Sequence, residues 1–130
     1  MSETKPKVKA PKVNHETKAF WEATAEGKLM VGKCNGCGEH YYYPRALCPF
    51  CFSDKTELAQ TAGKGKIYSF SVTSHPKAPY TIAYITLAEG PTILSNIVES
   101  DFDKLAIGQD VEVVFYDTGE GNAVPMFKTV

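Results

Sequence analysis

The chain holds four cysteines in two pairs of identical spacing, Cys34-Asn35-Gly36-Cys37 and Cys48-Pro49-Phe50-Cys51, and has no other thiol. A C-x2-C turn points both of its sulfurs at one spot. Two such turns facing each other complete a tetrahedral thiolate shell of the kind that suits zinc. Gly36 and Gly38 leave the first turn free to bend, and Pro49 stiffens the second. The segment between the pairs, from Gly38 to Leu47, is long enough for a short hairpin that brings the chain back to the ion. A thioredoxin-type dithiol would need one pair at a strand-to-helix junction, which this pattern lacks. A rubredoxin-type iron site uses the same four ligands, and spacing alone does not separate the metals; zinc is the favoured reading.

Four thiolates close the coordination shell and leave no position for water. The expected site is therefore structural: one Zn2+ held by Cys34, Cys37, Cys48 and Cys51, contributing on the order of 10 kcal/mol to folding. His40 lies beside the second ligand and is read as an ordinary hairpin residue. With the thiols committed, little remains for covalent chemistry. His15, His40 and His75 fall in separate segments, and no serine stands in a nucleophile elbow. GKGKIY precedes a strand and is not a phosphate loop. No independent catalysis is expected.

The elements that must position these residues follow from periodicity. NHETKAFWEATAEGK reads as a short helix with Asn14 as its cap, Glu16 in its first turn and Gly27 at its end. Phe20, Trp21, Ala23 and Ala25 crowd its surface with apolar groups. Two readings of Phe20 and Trp21 stand side by side: packing within the chain, or one ring left outside as a partner anchor. Leu29 and Val31 alternate into a strand before the first knuckle.

Beyond the knuckles, five stretches have strand character: KIYSFSVT, YTIAYITL, TILSNIV, VEVVFYD and AVPMFKTV. In the first, Tyr68, Phe70 and Val72 alternate with Ser69, Ser71 and Thr73, so the aromatics are expected to face the core. ESDFDKLAIGQD, between the third and fourth strands, suggests a helical turn. Five strands with a break after the third match the chain order of an OB barrel. The fold class is thus mainly β: an N-terminal helix, a four-cysteine zinc ribbon and a five-stranded OB barrel. The divisions are a basic arm over 1–13, the helix over 14–28, the ribbon over 29–60 and the barrel over 61–130.

Composition narrows the functional classes. The 14 basic and 15 acidic side chains give a net charge of −1, without the basic excess of a nucleic-acid binder. The N-terminal stretch MSETKPKVKAPKV carries four lysines and two prolines, reads as a solvated arm and lacks the apolar core of a signal peptide. No apolar run approaches a membrane span, and a cytoplasmic, reducing location is expected.

The order FWEATAEGKLMVGKCNGCG, YYYPRALCPFC, GKGKIYSFSV, ILSNIV and IGQDVEVVF resembles the DUF35 family over roughly residues 15–128. The resemblance implies a rubredoxin-like zinc ribbon joined to an OB fold. It also implies an accessory role beside thiolase-fold enzymes of acyl-CoA metabolism, such as benzoylsuccinyl-CoA thiolase, with the chemistry in the large subunit. Phe52 departs from the pattern, since the second knuckle more often carries glycine after its last cysteine.

Two functions are therefore weighed. In the first, the chain is a non-catalytic subunit bound to a thiolase-fold partner, with acyl-CoA or CoA at or near the interface. Phe20, Trp21 and the loop residues His75, Lys77 and Tyr80 are then the candidate contacts. A stiff surface loop without a ligand is the plainer reading of Ser74 to Tyr80. In the second, the barrel binds single-stranded nucleic acid through Tyr68, Phe70, Tyr80 and Tyr84. The barrel half opposes this, because five lysines face eight carboxylates from residue 64 onward. The first function is preferred.

Overall fold

The computed structural model describes residues 10–74 and 79–130. Most of the expected basic arm lies outside the described residues, as do His75 and Lys77. Among the described residues, no helix is long and apolar enough to cross a membrane.

The helix α1 spans Lys18–Ala25, shorter than expected, and Thr17 rather than Asn14 is its N-cap. Asn14 instead builds the turn before it. Its Oδ1 accepts from the Thr17 amide at 3.1 Å, and its own amide donates to Thr17 Oγ1 at 3.1 Å. Both polar groups are satisfied locally, so the helix starts one turn later. Glu16 lies ahead of the helix and accepts from the Ala46 amide at 2.6 Å, tying the entry of α1 to the ribbon. At the other end the Gly27 amide donates to the Thr24 carbonyl and the Lys28 amide to the Ala23 carbonyl, each at 3.0 Å. That pair is a Schellman closure, and Gly27 at φ +77 takes its left-handed position as expected.

Thr17, Phe20, Trp21 and Thr24 form the buried stripe of α1. Phe20 is fully buried, with ring centroids 4.8 Å from Trp21, 5.9 Å from Tyr42 and 5.4 Å from Tyr43, all edge-on. Trp21 Nε1 donates to Tyr43 Oη at 2.7 Å, so the indole keeps its polar atom satisfied inside the cluster. Of the two readings of Phe20 and Trp21, packing within the chain is the one observed. Neither ring is available as a surface anchor.

The ribbon is a three-stranded antiparallel sheet of order β2-β1-β3, with β1 at Met30–Cys34, β2 at His40–Tyr41 and β3 at Thr56–Gln60. Strand β3 was not anticipated from the sequence; it pairs with β1 from Met30↔Gln60 to Cys34↔Thr56. Thr61 then closes the ribbon onto the barrel, its amide and Oγ1 both donating to the Leu29 carbonyl at 2.9 Å.

The second half is a closed barrel of order β4-β5-β6-β8-β7. Its strands are β4 Lys64–Thr73, β5 Tyr80–Leu87, β6 Thr92–Ile97, β7 Asp110–Asp117 and β8 Ala123–Thr129. Neighbours pair antiparallel except β6 and β8, which meet in parallel at Ile97↔Phe127. A short 3-10 helix at Phe102–Lys104 fills the break after β6. Ile67, Ala83, Ile85, Leu87, Ile93, Ile97, Val111 and Phe127 fill the interior, in one continuous cluster with Phe20, Trp21, Leu29 and Val31. The ribbon and barrel therefore share a single core through α1.

The barrel strands correct one expectation. A bulge between Ile67 and Ser69 shifts the register of β4 against β5. Ile67 points inward, while Tyr68 is 67% exposed and Val72 40% exposed; only Phe70 packs against the core. The bulge turns Tyr68 out of the period-two pattern, while Phe70 and Val72 stay opposite the inward Ala83 and Thr81, Val72 being open near the end of the strand. On β5 the inward set is Thr81, Ala83, Ile85 and Leu87, which leaves Tyr80, Ile82 and Tyr84 outside.

Candidate metal centre and its surroundings

The two knuckles bring the four sulfurs together. The Sγ atoms of Cys34, Cys37, Cys48 and Cys51 all lie within 4.8 Å of one another. Cys34 is 3.6 Å from Cys51, and Cys37 is 3.7 Å from Cys48. Four sulfurs about 2.3 Å from a central ion stand about 3.8 Å apart along tetrahedral edges, so the spacing fits a tetrathiolate metal site.

One backbone pattern builds both knuckles. The Gly38 amide donates to the Cys34 carbonyl at 2.8 Å, and the Phe52 amide donates to the Cys48 carbonyl at 2.9 Å. The Cys34 amide returns to the Glu39 carbonyl at 3.0 Å and the Cys48 amide to the Ser53 carbonyl at 2.9 Å. Each knuckle also aims an amide at its first sulfur, Gly36 at 3.3 Å from Cys34 Sγ and Phe50 at 3.4 Å from Cys48 Sγ. The first cysteine of each pair is buried and the second exposed.

The electrostatics call for a cation. The Cys37 amide, together with that of Gly36, outweighs burial and draws the Cys34 thiol down to about 6. The Glu39 amide also pulls Cys37 down, yet burial and the three neighbouring sulfurs push it up to about 12. Cys51 is raised as well: the Ser53 amide lowers it, but the Cys34 sulfur and burial outweigh that. Four sulfurs so close do not all ionise by themselves, and a dication is what lets them. The donor set and its spacing fit a rubredoxin-like metal ribbon.

Among the described residues, these four cysteines are the only group of three or more His, Cys, Asp or Glu side chains placed to hold an ion. His40 lies on β2, outside that group, and His15 is exposed before α1. A recess of about 430 Å³ lies between the end of α1 and the β7–β8 turn, lined by Thr24, Phe115, Asp117 and Asn122 among others. Neither a histidine nor a cysteine lines it. Of the contact candidates, Tyr80 stands at the start of β5, 48% exposed, while Phe20 and Trp21 are in the core. His75 and Lys77 lie outside the described residues.

The structure also displays two apolar surfaces that sequence reasoning did not separate from the core. One is the outer face of β4, β5 and β6, with Tyr68, Tyr80, Ile82, Tyr84 and Leu94 exposed. Tyr84 pairs with Leu94 across the strands, and Ser69, Ser71, Thr73 and Asn96 complete an uncharged surface. The other is the second knuckle, where Leu47, Phe50 and Phe52 are 52%, 62% and 75% exposed. Only Phe52 left a trace in the sequence, as a phenylalanine in a glycine position.

A family model described as "ChsH2, rubredoxin-like zinc ribbon domain" matches residues 21–57, and one described as "ChsH2, C-terminal OB-fold domain" matches residues 59–116. A DUF35 domain-containing scaffold protein of Methanothermobacter thermautotrophicus is 37% identical over 77% of this chain and 81% of its own length. A benzoylsuccinyl-CoA thiolase subunit, BbsA, of Thauera aromatica is 31% identical over 75% of this chain and 74% of its own. A probable enoyl-CoA hydratase alpha subunit of Thermomonospora curvata is 29% identical over 98% of this chain, which spans only 42% of that subunit's length. Among solved structures, a chain of an Ltp2-ChsH2(DUF35) aldolase superposes with a TM-score of 0.80 at 28% identity, over 92% of this chain and 98% of its own. The chain belongs to the DUF35 family.

Proposed function

We propose that this DUF35 protein is a non-catalytic subunit of a thiolase-fold enzyme acting on acyl-CoA, with one structural zinc ion in its ribbon. The carrying observation is the convergence of all four sulfurs on one point. Thioester cleavage or Claisen condensation needs a nucleophilic thiol beside a base. Here every thiol of the chain is turned toward the other three, and no histidine among the described residues joins them. The zinc would supply a cross-link between the two knuckles, with Cys34, Cys37, Cys48 and Cys51 as its ligands. The relatives support the setting, since a thiolase subunit, a hydratase subunit and an aldolase component share this chain's plan.

In this reading the chain forms a hetero-oligomer with the large subunit and helps to shape its CoA entrance. Tyr80 and the neighbouring His75 and Lys77 are assigned to that entrance, where a ring and a cation suit adenine and phosphate. An aromatic acyl-CoA, as the name of the Thauera relative suggests, is the substrate class proposed. A cytoplasmic, reducing compartment keeps the four thiols available to metal.

The test is co-expression of the tagged chain with each thiolase-fold subunit encoded by the same genome. The expected result is a stable complex whose acyl-CoA turnover exceeds that of the large subunit alone. A chain that forms no such complex, or one that leaves turnover unchanged, contradicts the reading.

A second reading gains one observation: Tyr68, Tyr80 and Tyr84 are exposed on the barrel's outer face, as a base-stacking platform requires. Its charge is wrong for the purpose. Among the described residues, Lys66 at the edge of that face is bound to Asp110 at 2.6 Å. An uncharged aromatic face suits a protein surface better than a phosphate backbone. Salt-sensitive retention of single-stranded oligonucleotides would reverse that preference.

A further inference from the structure

The two knuckles share their hydrogen bonds but differ at one position. The residue after the last ligand must donate its amide backward, which forces a left-handed backbone: φ is +80 at Gly38 and +63 at Phe52. Glycine adopts that conformation freely, whereas a residue with a Cβ is disfavoured there. The Phe52 ring regains nothing inside the chain, because it is 75% exposed. Phe50 and Leu47 stand on the same knuckle, also largely exposed. A glycine at 52 and a polar residue at 50 would serve the metal site equally well. The chain thus accepts backbone strain in order to present three apolar side chains at one tip.

We propose that Leu47, Phe50 and Phe52 form an apolar anchor that seats in a concave groove on the enzyme subunit assigned above. This inference rests on that reading. A second copy of the chain is the wrong occupant. Only Leu47, Phe50 and Phe52 are offered there, and two tips meeting would bury a few side chains each, well short of the roughly 800 Å² per partner of a stable interface. A lipid surface is also wrong. Residues 45–57 hold Arg45 and Lys55 against Asp54 and Glu57, and four thiolates around a dication add two negative charges. An anionic membrane requires a basic patch beside the apolar groups. That negative centre directly behind the anchor fits a groove with an apolar floor and a basic or amide-lined rim.

The experiment pairs two readouts on the variants F52G and F50S. The first is the thermal midpoint of the isolated chain at one bound metal. The second is the affinity for the immobilised large subunit recovered by co-expression, at low and high salt. The expected F52G chain melts a few degrees higher than wild type, because the left-handed strain is gone. Both variants bind the subunit at least about tenfold more weakly, as anchors at an interface centre do, and wild-type binding weakens with salt. Wild-type affinity in both variants overturns the anchor while leaving the subunit reading intact. An F52G midpoint below wild type overturns the strain premise. Failure of the wild-type chain to bind any thiolase-fold subunit removes the parent reading and the anchor with it.

Discussion

Thr24 and Ala123 stand 99 positions apart and are joined by one buried hydrogen bond, the Ala123 amide donating to Thr24 Oγ1 at 3.2 Å. The same hydroxyl donates to the Trp21 carbonyl at 2.8 Å, so it is satisfied on both sides. This link holds α1 against the start of β8, while Phe20 and Trp21 hold it against the ribbon tyrosines. The helix is the wedge that makes one core of two small β units.

Removing that hydroxyl should therefore be costly. Thr24→Val keeps the volume but leaves the Ala123 amide buried without its partner, a loss of about 1–3 kcal/mol. Thr24→Ser should restore most of it. Urea unfolding of the metal-loaded protein measures both. A Val variant as stable as wild type would mean the bond contributes nothing to docking the helix.

Thr81 offers the opposite case. It is fully buried on β5, and among the described residues its Oγ1 has no hydrogen-bond partner. Replacing it by valine removes a desolvated hydroxyl at nearly constant volume. The expected gain is about 1 kcal/mol, read as a higher urea midpoint with an unchanged slope. A loss of stability would reveal a partner for that hydroxyl.

Much of this fold is legible in the sequence, and the exceptions have physical causes. The convergence of the four cysteines declares itself because two C-x2-C turns can aim their sulfurs at one point. The five barrel strands announce themselves by alternation and turn residues. Facing was harder to read. On β5 the inward Ala83, Ile85 and Leu87 alternate with outward Tyr80, Ile82 and Tyr84, so both faces are apolar and period two carries no contrast. On β4 the bulge after Ile67 reverses the phase in mid-strand. Strand β3 escaped because TELAQ has little strand propensity of its own and forms by pairing with β1. Phe20 and Trp21 were ambiguous because the tyrosines that bury them, Tyr42 and Tyr43, come from the ribbon hairpin.

Tyr42 makes the protein sensitive to alkali. Burial, reinforced by the neighbouring Tyr43, raises the Tyr42 phenol above its ordinary value. The unfolded chain ionises it near pH ~10. Below that pH both states keep the proton and the contribution is fully present. As pH climbs through the unfolded value toward the folded one, the unfolded state loses its proton first and stability falls. Stability measured across that range should drop, and Tyr42→Phe should flatten the drop. An unchanged slope in that variant would contradict the assignment.

Metal removal should be visible from the core. Trp21 is the only tryptophan and is bonded to Tyr43 on the ribbon hairpin. Chelation frees the knuckles, loosens that hairpin and exposes the indole, so its emission should shift to the red. Re-addition of Zn2+ should reverse the shift. An emission spectrum indifferent to chelator would detach the metal site from the helix packing.

The central claim is that the four thiols are fully committed to one closed metal site, so that acyl-CoA chemistry resides in a partner. Thiol titration of the native protein, with the released metal counted in parallel, tests it most directly. The expected result is one metal per chain and no reactive thiol until the metal is withdrawn, after which four react together. A single cysteine that reacts rapidly while the metal stays bound would contradict the account, because it would restore to this chain the nucleophile that the site denies it.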